Sequence, residues 1–180
     1  MSDRRQVLQN QRGFSLSELL VVAAVLGLML TGLVTVQMQG QQSYVLGAHR
    51  VEVQQNGRVA LDLMIRELRS ALAITTLTSA TDVTFTDANA VTLEYKLVGT
   101  TLNRVAAGVT TPLIGGVQSL TMTYYSAYNG STNTGTTTAV PSQVTVINIQ
   151  LVTGTEDQVA AGSAGDQHAK MASMVRLRNM

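Results

Sequence analysis

The residues most able to support chemistry lie at the N-terminus, where one carboxylate stands at the edge of a long apolar run. Gly13, Phe14 and Glu18 join a short basic leader to this run, which extends from Leu19 to Val36 with a few Gly and Thr interruptions. An acidic side chain in bilayer hydrocarbon costs roughly 2.5–3.5 kcal/mol on insertion scales. Glu18 therefore needs either a cationic partner or a local structural role.

This stretch resembles the class III signal of type IV prepilins and pseudopilins. In that family a membrane peptidase cuts after a glycine, methylates the new N-terminal residue, and leaves a glutamate fifth in the mature chain. The resemblance implies cleavage between Gly13 and Phe14, N-methylation of Phe14, and an assembly salt bridge from Glu18 to the amine of a neighbouring subunit. The leader, residues 1–13, carries three arginines and one aspartate, which suits retention on the cytoplasmic side.

Other interpretations of the N-terminus remain open. An ordinary secretory signal would place small residues at a cleavage site after the apolar core, but the run is followed by Q-M-Q-G-Q-Q. An uncleaved signal anchor needs only the basic flank and the apolar run, and it leaves Gly13 and Glu18 unexplained. Ser15 and Glu18 also fit a helix capping box, in a position favoured by the helix dipole. Capping is compatible with a later salt bridge.

Composition narrows the class of protein. The chain of 180 residues has no cysteine and a formal net charge of +1. An exported domain without disulfides depends on its core and on subunit packing. The lack of cysteine, and of a proline at the position of Thr35, departs from many major pilins and favours a minor component. The bulk charge gives no indication of a nucleic-acid binder, and a local DNA contact stays open.

One helix is predicted from Phe14 to about Leu72. Its first half, residues 14–36, is apolar all round and would span the membrane and form the filament core. Its second half, residues 37–73, is amphipathic, and we expect it to continue through Asn56–Gly57 despite the turn tendency of that pair. Leu61, Ile65, Leu68 and Leu72 share one face. Arg58, Asp62, Arg66 and Arg69 form a charged stripe, interpreted as a solvated face or a contact with a partner subunit.

From residue 74 to residue 180, apolar and polar residues alternate with the period of β-strands. The strand candidates are Val83–Phe85, Val91–Leu97, Thr101–Val105, Pro112–Ile114, Leu120–Tyr124, Thr145–Leu151 and Val175–Leu177. Packing their apolar faces on the helix predicts an α+β head with an antiparallel β-sheet, as in the type IV pilin fold. Two polar segments, residues 129–142 and 155–165, are expected to be loops.

Ser43–Tyr44 and the helix from Gln55 to Arg69 resemble the helix of PilW-type minor pilins, and the ending from Val175 to Asn179 resembles their C-terminal strand. The sheet region is similar to J-class pseudopilins of type II secretion. The resemblance implies a role in pilus assembly, in a priming or tip complex. It also implies a single pass through the inner membrane with the head in the periplasm, and later a place in the pilus or at the cell surface.

The implied partners are the prepilin peptidase, other minor and major pilins or pseudopilins, and the inner-membrane assembly platform. Two alternative functions remain. One is a type II secretion pseudopilin, and the other is a membrane-tethered adhesin or DNA-uptake module that acts through residues 129–142.

We expect neither an enzyme nor a cofactor or metal protein. His49 and His168 have no partner at ligand spacing, and the chain lacks a cysteine nucleophile. Asp82, Asp87 and Asn89 cluster loosely near a turn but do not form a recognisable calcium loop.

Overall fold

The computed structural model describes residues 13–155 and 165–178. Most of the leader, most of the predicted loop 155–165 and the last two residues therefore lie outside the described part. The chain divides into two compact units, Met1–Val45 and Leu46–Met180. We refer to the second unit as the head.

The helix α1 extends over 54 residues, Leu16–Arg69. It ends three residues before the predicted boundary at Leu72. The backbone N–H groups of Ser70 and Ala71 donate to the carbonyls of Glu67 and Leu68, which tightens the last turn. The N–H of Leu72 already donates to the carbonyl of Thr86 at 2.9 Å, so it has joined the sheet region.

The first unit contains the apolar part of α1. One helix in the described residues is long and apolar enough to cross a membrane, and none of its most apolar 18-residue window is buried. The side chains are exposed on every side, from Leu19 to Val36. A helix that is apolar all round needs an apolar environment, which this unit does not provide by itself.

The described residues form nine strands in two antiparallel sheets, where the sequence predicted one sheet. The strands are β1 (Ala73–Ser79), β2 (Asp82–Thr86), β3 (Thr92–Val98), β4 (Thr101–Ala106), β5 (Val109–Ile114), β6 (Val117–Asn129), β7 (Thr134–Thr137), β8 (Val146–Gly154) and β9 (His168–Arg176). The first sheet has the order β1-β2-β3-β4-β5, and the second has the order β7-β6-β8-β9. Together with α1 they form an α+β fold, as predicted.

Two strands were missed by the sequence reasoning. Strand β1 buries only Ile74, and its pairing with β2 is interrupted by irregularities, so its alternation is weak. Strand β7 is exposed at all four residues and pairs with β6 through its backbone. Residues 129–142 are therefore not a loop throughout, since they contain β7 and most of a 3₁₀ turn, Pro141–Gln143. Strands held by backbone pairing leave no apolar pattern in the sequence.

The head has one hydrophobic core, shared by α1 and both sheets. The buried helix residues lie on one face, three or four positions apart except for one adjacent pair: Val53, Gly57, Ala60, Leu61, Met64 and Leu68. Leu61 and Leu68 thus lie in the core as predicted, and Ile65 packs at its border. Leu72 lies beyond the helix and is 43% exposed, so its place in the predicted stripe was wrong.

A polar cluster also joins the helix to the first sheet. The carboxylate of Glu67 accepts hydrogen bonds from Arg104 Nη2 at 2.8 Å and from Arg104 Nε at 3.0 and 3.1 Å. It also accepts one from the Tyr95 hydroxyl at 2.6 Å. Burial, aided by the bond to Glu67, raises the pKa of Tyr95 above its ordinary value, and the bonds to Glu67 raise the pKa of Arg104. Tyr95 therefore stays a neutral donor, and the half-buried ions are paired.

Gly57 explains why the helix passes through the Asn56–Gly57 pair. A Cβ at position 57 would overlap the terminal methyl group of Met171 and would lie 3.1 Å from Thr153 Oγ1. Thr153 in turn donates a hydrogen bond to the carbonyl of Val53 at 3.0 Å. The close approach of α1 to β8 and β9 therefore favours a glycine here, because any side chain would displace the end of Met171 and crowd Thr153, and this packing overrides the local turn tendency.

We predict that Gly57→Val destabilises the head by about 1–3 kcal/mol, because the added methyl groups overpack this contact. The matched control is Gly47→Val in the same helix, where an added Cβ has no heavy atom within 4 Å. The two changes alter helix propensity equally, so their difference reports packing. The measurement is the free energy of unfolding of the full chain in detergent, obtained from denaturant titrations monitored by circular dichroism. Adding Met171→Ala should recover part of the loss, whereas equal stability of the two valine variants would contradict the assignment.

Candidate processing and assembly site

The predicted cleavage position lies immediately before α1. Gly13 and Phe14 are outside any helix or strand and both are exposed, Phe14 by 75%. An added Cβ at Gly13 would meet no atom within 4 Å. Exposed backbone outside regular structure is where proteolysis concentrates. The bond between these two residues is therefore open to a peptidase.

The helix start is a reciprocal capping box. The N–H of Glu18 donates to Ser15 Oγ at 3.2 Å, and the N–H of Ser15 donates to Glu18 Oε2 at 3.4 Å. Ser17 Oγ lies 2.9 Å from Ser15 Oγ. The N–H of Glu18 also donates to the carbonyl of Ser15 at 3.0 Å, so the serine hydroxyl is its second acceptor, whereas the N–H of Ser15 is satisfied by the carboxylate. A negative charge thus stands at the positive end of the helix dipole. The capping role considered from the sequence is present in the geometry.

The predicted salt bridge of Glu18 involves the amine of a second subunit. The geometry of one chain does not test it, so it stays a prediction. The structure does place Glu18 one turn after the bond whose cleavage would create such an amine. The carboxylate is exposed, and its one described contact is the long bond from Ser15.

Two threonines inside the apolar run satisfy their own hydroxyl groups. Thr31 Oγ1 donates to the carbonyl of Gly27 at 2.8 Å, and Thr35 Oγ1 donates to the carbonyl of Thr31 at 2.8 Å. Threonine hydroxyls commonly bond to the preceding helical turn in this way. The run therefore presents no unsatisfied hydroxyl donor to hydrocarbon, where each unsatisfied polar group costs several kcal/mol.

The other candidate residues do not converge on one site. His49 Nδ1 lies 3.9 Å from Glu52, and His168 Nε2 lies 2.8 Å from Asp166. Within residues 13–155 and 165–178, no three His, Cys, Asp or Glu side chains lie close enough to hold a metal ion.

The loose cluster predicted near a turn, Asp82, Asp87 and Asn89, is explained by the hydrogen bonds of that turn. Asp87 accepts hydrogen bonds from the N–H groups of Val91 at 2.8 Å and Asn89 at 2.9 Å, which folds the turn between β2 and β3. The bond from Val91 lowers the pKa of Asp87, whereas burial and the nearby Glu94 raise the pKa of Asp82. The two carboxylates therefore have different environments.

Sequence reasoning missed one grouping that the fold creates. Arg69, from the charged stripe of α1, lines the same surface cavity as Arg176 and Arg178 from the C-terminal part of the chain. Arg69 is more than 100 residues from the other two arginines in sequence, so their meeting depends on the path of β9.

A comparison with family models supports the interpretation of the N-terminus. Residues 8–34 match the family described as the prokaryotic N-terminal methylation motif. The matched segment includes the predicted cleavage position, the capping box and most of the apolar run. No curated protein matches the chain significantly. The head, with a helix packed on antiparallel sheets, is consistent with the type IV pilin fold.

The match covers the N-terminal part of the chain and does not distinguish pilins from pseudopilins. The family is processed by a prepilin peptidase and associates with other pilin-like subunits. The chain carries, at residues 8–34, the N-terminal methylation motif of the type IV prepilin-like proteins.

Proposed function

We propose that the chain is a minor type IV pilin of PilW type, which takes part in pilus assembly in a priming or tip complex. The observation that carries this proposal is the methylation motif at residues 8–34, which includes the start of an apolar helix that the chain leaves exposed. The role is structural. The protein crosses the inner membrane once, with its head in the periplasm, and then enters the pilus.

The proposed mechanism begins with cleavage between Gly13 and Phe14. Cleavage creates a positively charged amine on Phe14, and methylation preserves that charge. Glu18 of one subunit then pairs with the amine of the next as the helices pack together. A subunit in the wrong register would leave a charge unpaired in a poorly solvated core, which is strongly unfavourable.

The capping box gives Glu18 a role before assembly. Its bond from the N–H of Ser15 is long, at 3.4 Å, and is therefore weak. The bond from Ser15 is already charge-assisted because its acceptor is a carboxylate, but an ammonium donor adds the attraction of a full opposite charge, which is stronger where water is excluded. Exchange of the Ser15 contact for a neighbour's amine is thus favourable, and the same carboxylate serves the free subunit and the assembled one.

A type II secretion pseudopilin is the second candidate, because the methylation motif is common to both machineries. The partners then would be other pseudopilins rather than pilins. The adhesin or DNA-uptake alternative would use residues 129–142, where the Tyr128 hydroxyl bonds to Asn133 and supports the turn between β6 and β7. A turn held in this way is equally suited to a structural connection, so it does not favour binding.

The processing step has a direct test. In a host with a prepilin peptidase, mass spectrometry of the purified protein should show a chain that begins at N-methyl-Phe14. Two controls should retain Met1: the same protein from a peptidase-deficient host, and Gly13→Val in the competent host. An intact leader on the wild-type chain in the competent host would contradict the proposal.

Substitutions at Glu18 distinguish pairing from capping. Glu18→Gln keeps an oxygen that can accept the Ser15 N–H but removes the charge, whereas Glu18→Ala removes both. We expect normal cleavage of both, and a loss of incorporation into filaments of more than about tenfold, because the neighbour's buried amine loses its partner. Incorporation is measured by immunoblot of sheared filaments.

The matched control for this test is Ser15→Ala, which removes the hydroxyl acceptor of the cap and keeps the charge. It should be incorporated at close to the wild-type level. If Glu18→Gln is incorporated normally and Ser15→Ala is not, then capping accounts for Glu18 and the salt bridge is wrong.

A further inference from the structure

The strongest unexplained feature of the head is a groove where the last turns of α1 meet the end of β9. Two cavities of about 540 and 560 Å³ adjoin there, and Arg69 and Arg178 line both of them. Arg66 lines the first and Arg176 lines the second. We call this surface, defined by these four residues, the arginine groove.

The groove concentrates positive charge in a chain that is almost neutral overall. All four arginines are exposed, and among the described residues Asp62 is the one acidic side chain that lines either cavity. In the described part of the chain, none of the four guanidinium groups takes part in an ion pair. Arginine holds carboxylates and phosphates through two parallel hydrogen bonds. Such a cluster is suited to a ligand with several negative charges.

The groove continues into a neutral and apolar region. A third cavity, of about 490 Å³, shares Thr145, Met174 and Arg176 with the second and reaches Tyr128 at the end of β6. Apart from Arg176, the residues known to line it, all from the described part of the chain, carry no charge. Met174 is 39% exposed in this region and offers an adaptable apolar contact. The cations are thus confined to one end of a longer depression.

The uneven distribution of positive charge along the depression favours an extended peptide over a nucleic-acid strand as the ligand. A nucleic-acid strand carries a phosphate at every nucleotide, so its binding surfaces supply cations along the whole path. An extended peptide can place acidic residues at one end and apolar residues at the other. We propose that the groove binds a segment of a partner protein in which acidic residues adjoin apolar ones. This inference goes beyond the proposed function and does not require filament assembly.

The test uses the full chain in uncharged detergent and a fluorescent peptide with a Glu/Asp block followed by a Leu block. The peptide should bind saturably, and less tightly as salt is raised. The double substitution Arg69→Glu/Arg178→Glu should weaken binding by about tenfold or more. It replaces two guanidinium groups with carboxylates, which repel the acidic block of the peptide. Met174→Ala should weaken binding of this peptide but not of a peptide that has the acidic block alone.

Two charge reversals outside the groove serve as controls. Arg58→Glu lies on the same helix and Lys170→Glu on the same strand, both are exposed, and neither lines the three cavities. Both should bind like the wild type, and thermal melts should show that all variants are folded. The proposal is overturned if the peptide fails to bind, if the groove variants match the controls, or if an oligo-dT strand binds at the groove in preference to the peptide.

Discussion

The structure depends on one helix that must satisfy two different environments. Between Leu19 and Val36, α1 is apolar on every side and none of this part is buried by its own chain. Between Val53 and Leu68, the same helix has a single buried face that completes the core of the head. A continuous apolar surface of the first kind is stable in a bilayer or among other helices. The same property therefore suits both a membrane span and the helix-to-helix assembly that we propose.

The head holds its part of the helix without disulfides, since the chain has no cysteine. Three kinds of contact hold the helix on the sheets instead. Apolar side chains from α1 and both sheets share one core, Gly57 allows a close approach to β8 and β9, and Glu67 pairs with Arg104 and Tyr95 on the first sheet. A charge pair of this kind adds directional constraint where apolar packing alone allows sliding.

Much of this fold could be predicted from sequence, because period and composition change where the structure changes. The apolar run, the helix and the long strands follow from such patterns, and the N-terminal motif was identified by its resemblance to prepilin signals at Gly13, Phe14 and Glu18. The strands β1 and β7 could not be predicted, since backbone pairing holds them with little apolar burial. Three features could not be predicted: the division into two sheets, the Glu67 cluster and the arginine groove. Each depends on contacts between residues far apart in the chain, which leave no local pattern in the sequence.

The central claim is that the exposed apolar helix becomes buried among other helices in a filament. The most direct measurement is the quantity of this chain in filaments sheared from cells that carry the prepilin peptidase. The account predicts a minor but reproducible component that co-sediments with the filaments and disappears from that fraction in peptidase-deficient cells. If filaments are recovered from competent cells while all of the chain stays in the inner membrane, the account is contradicted.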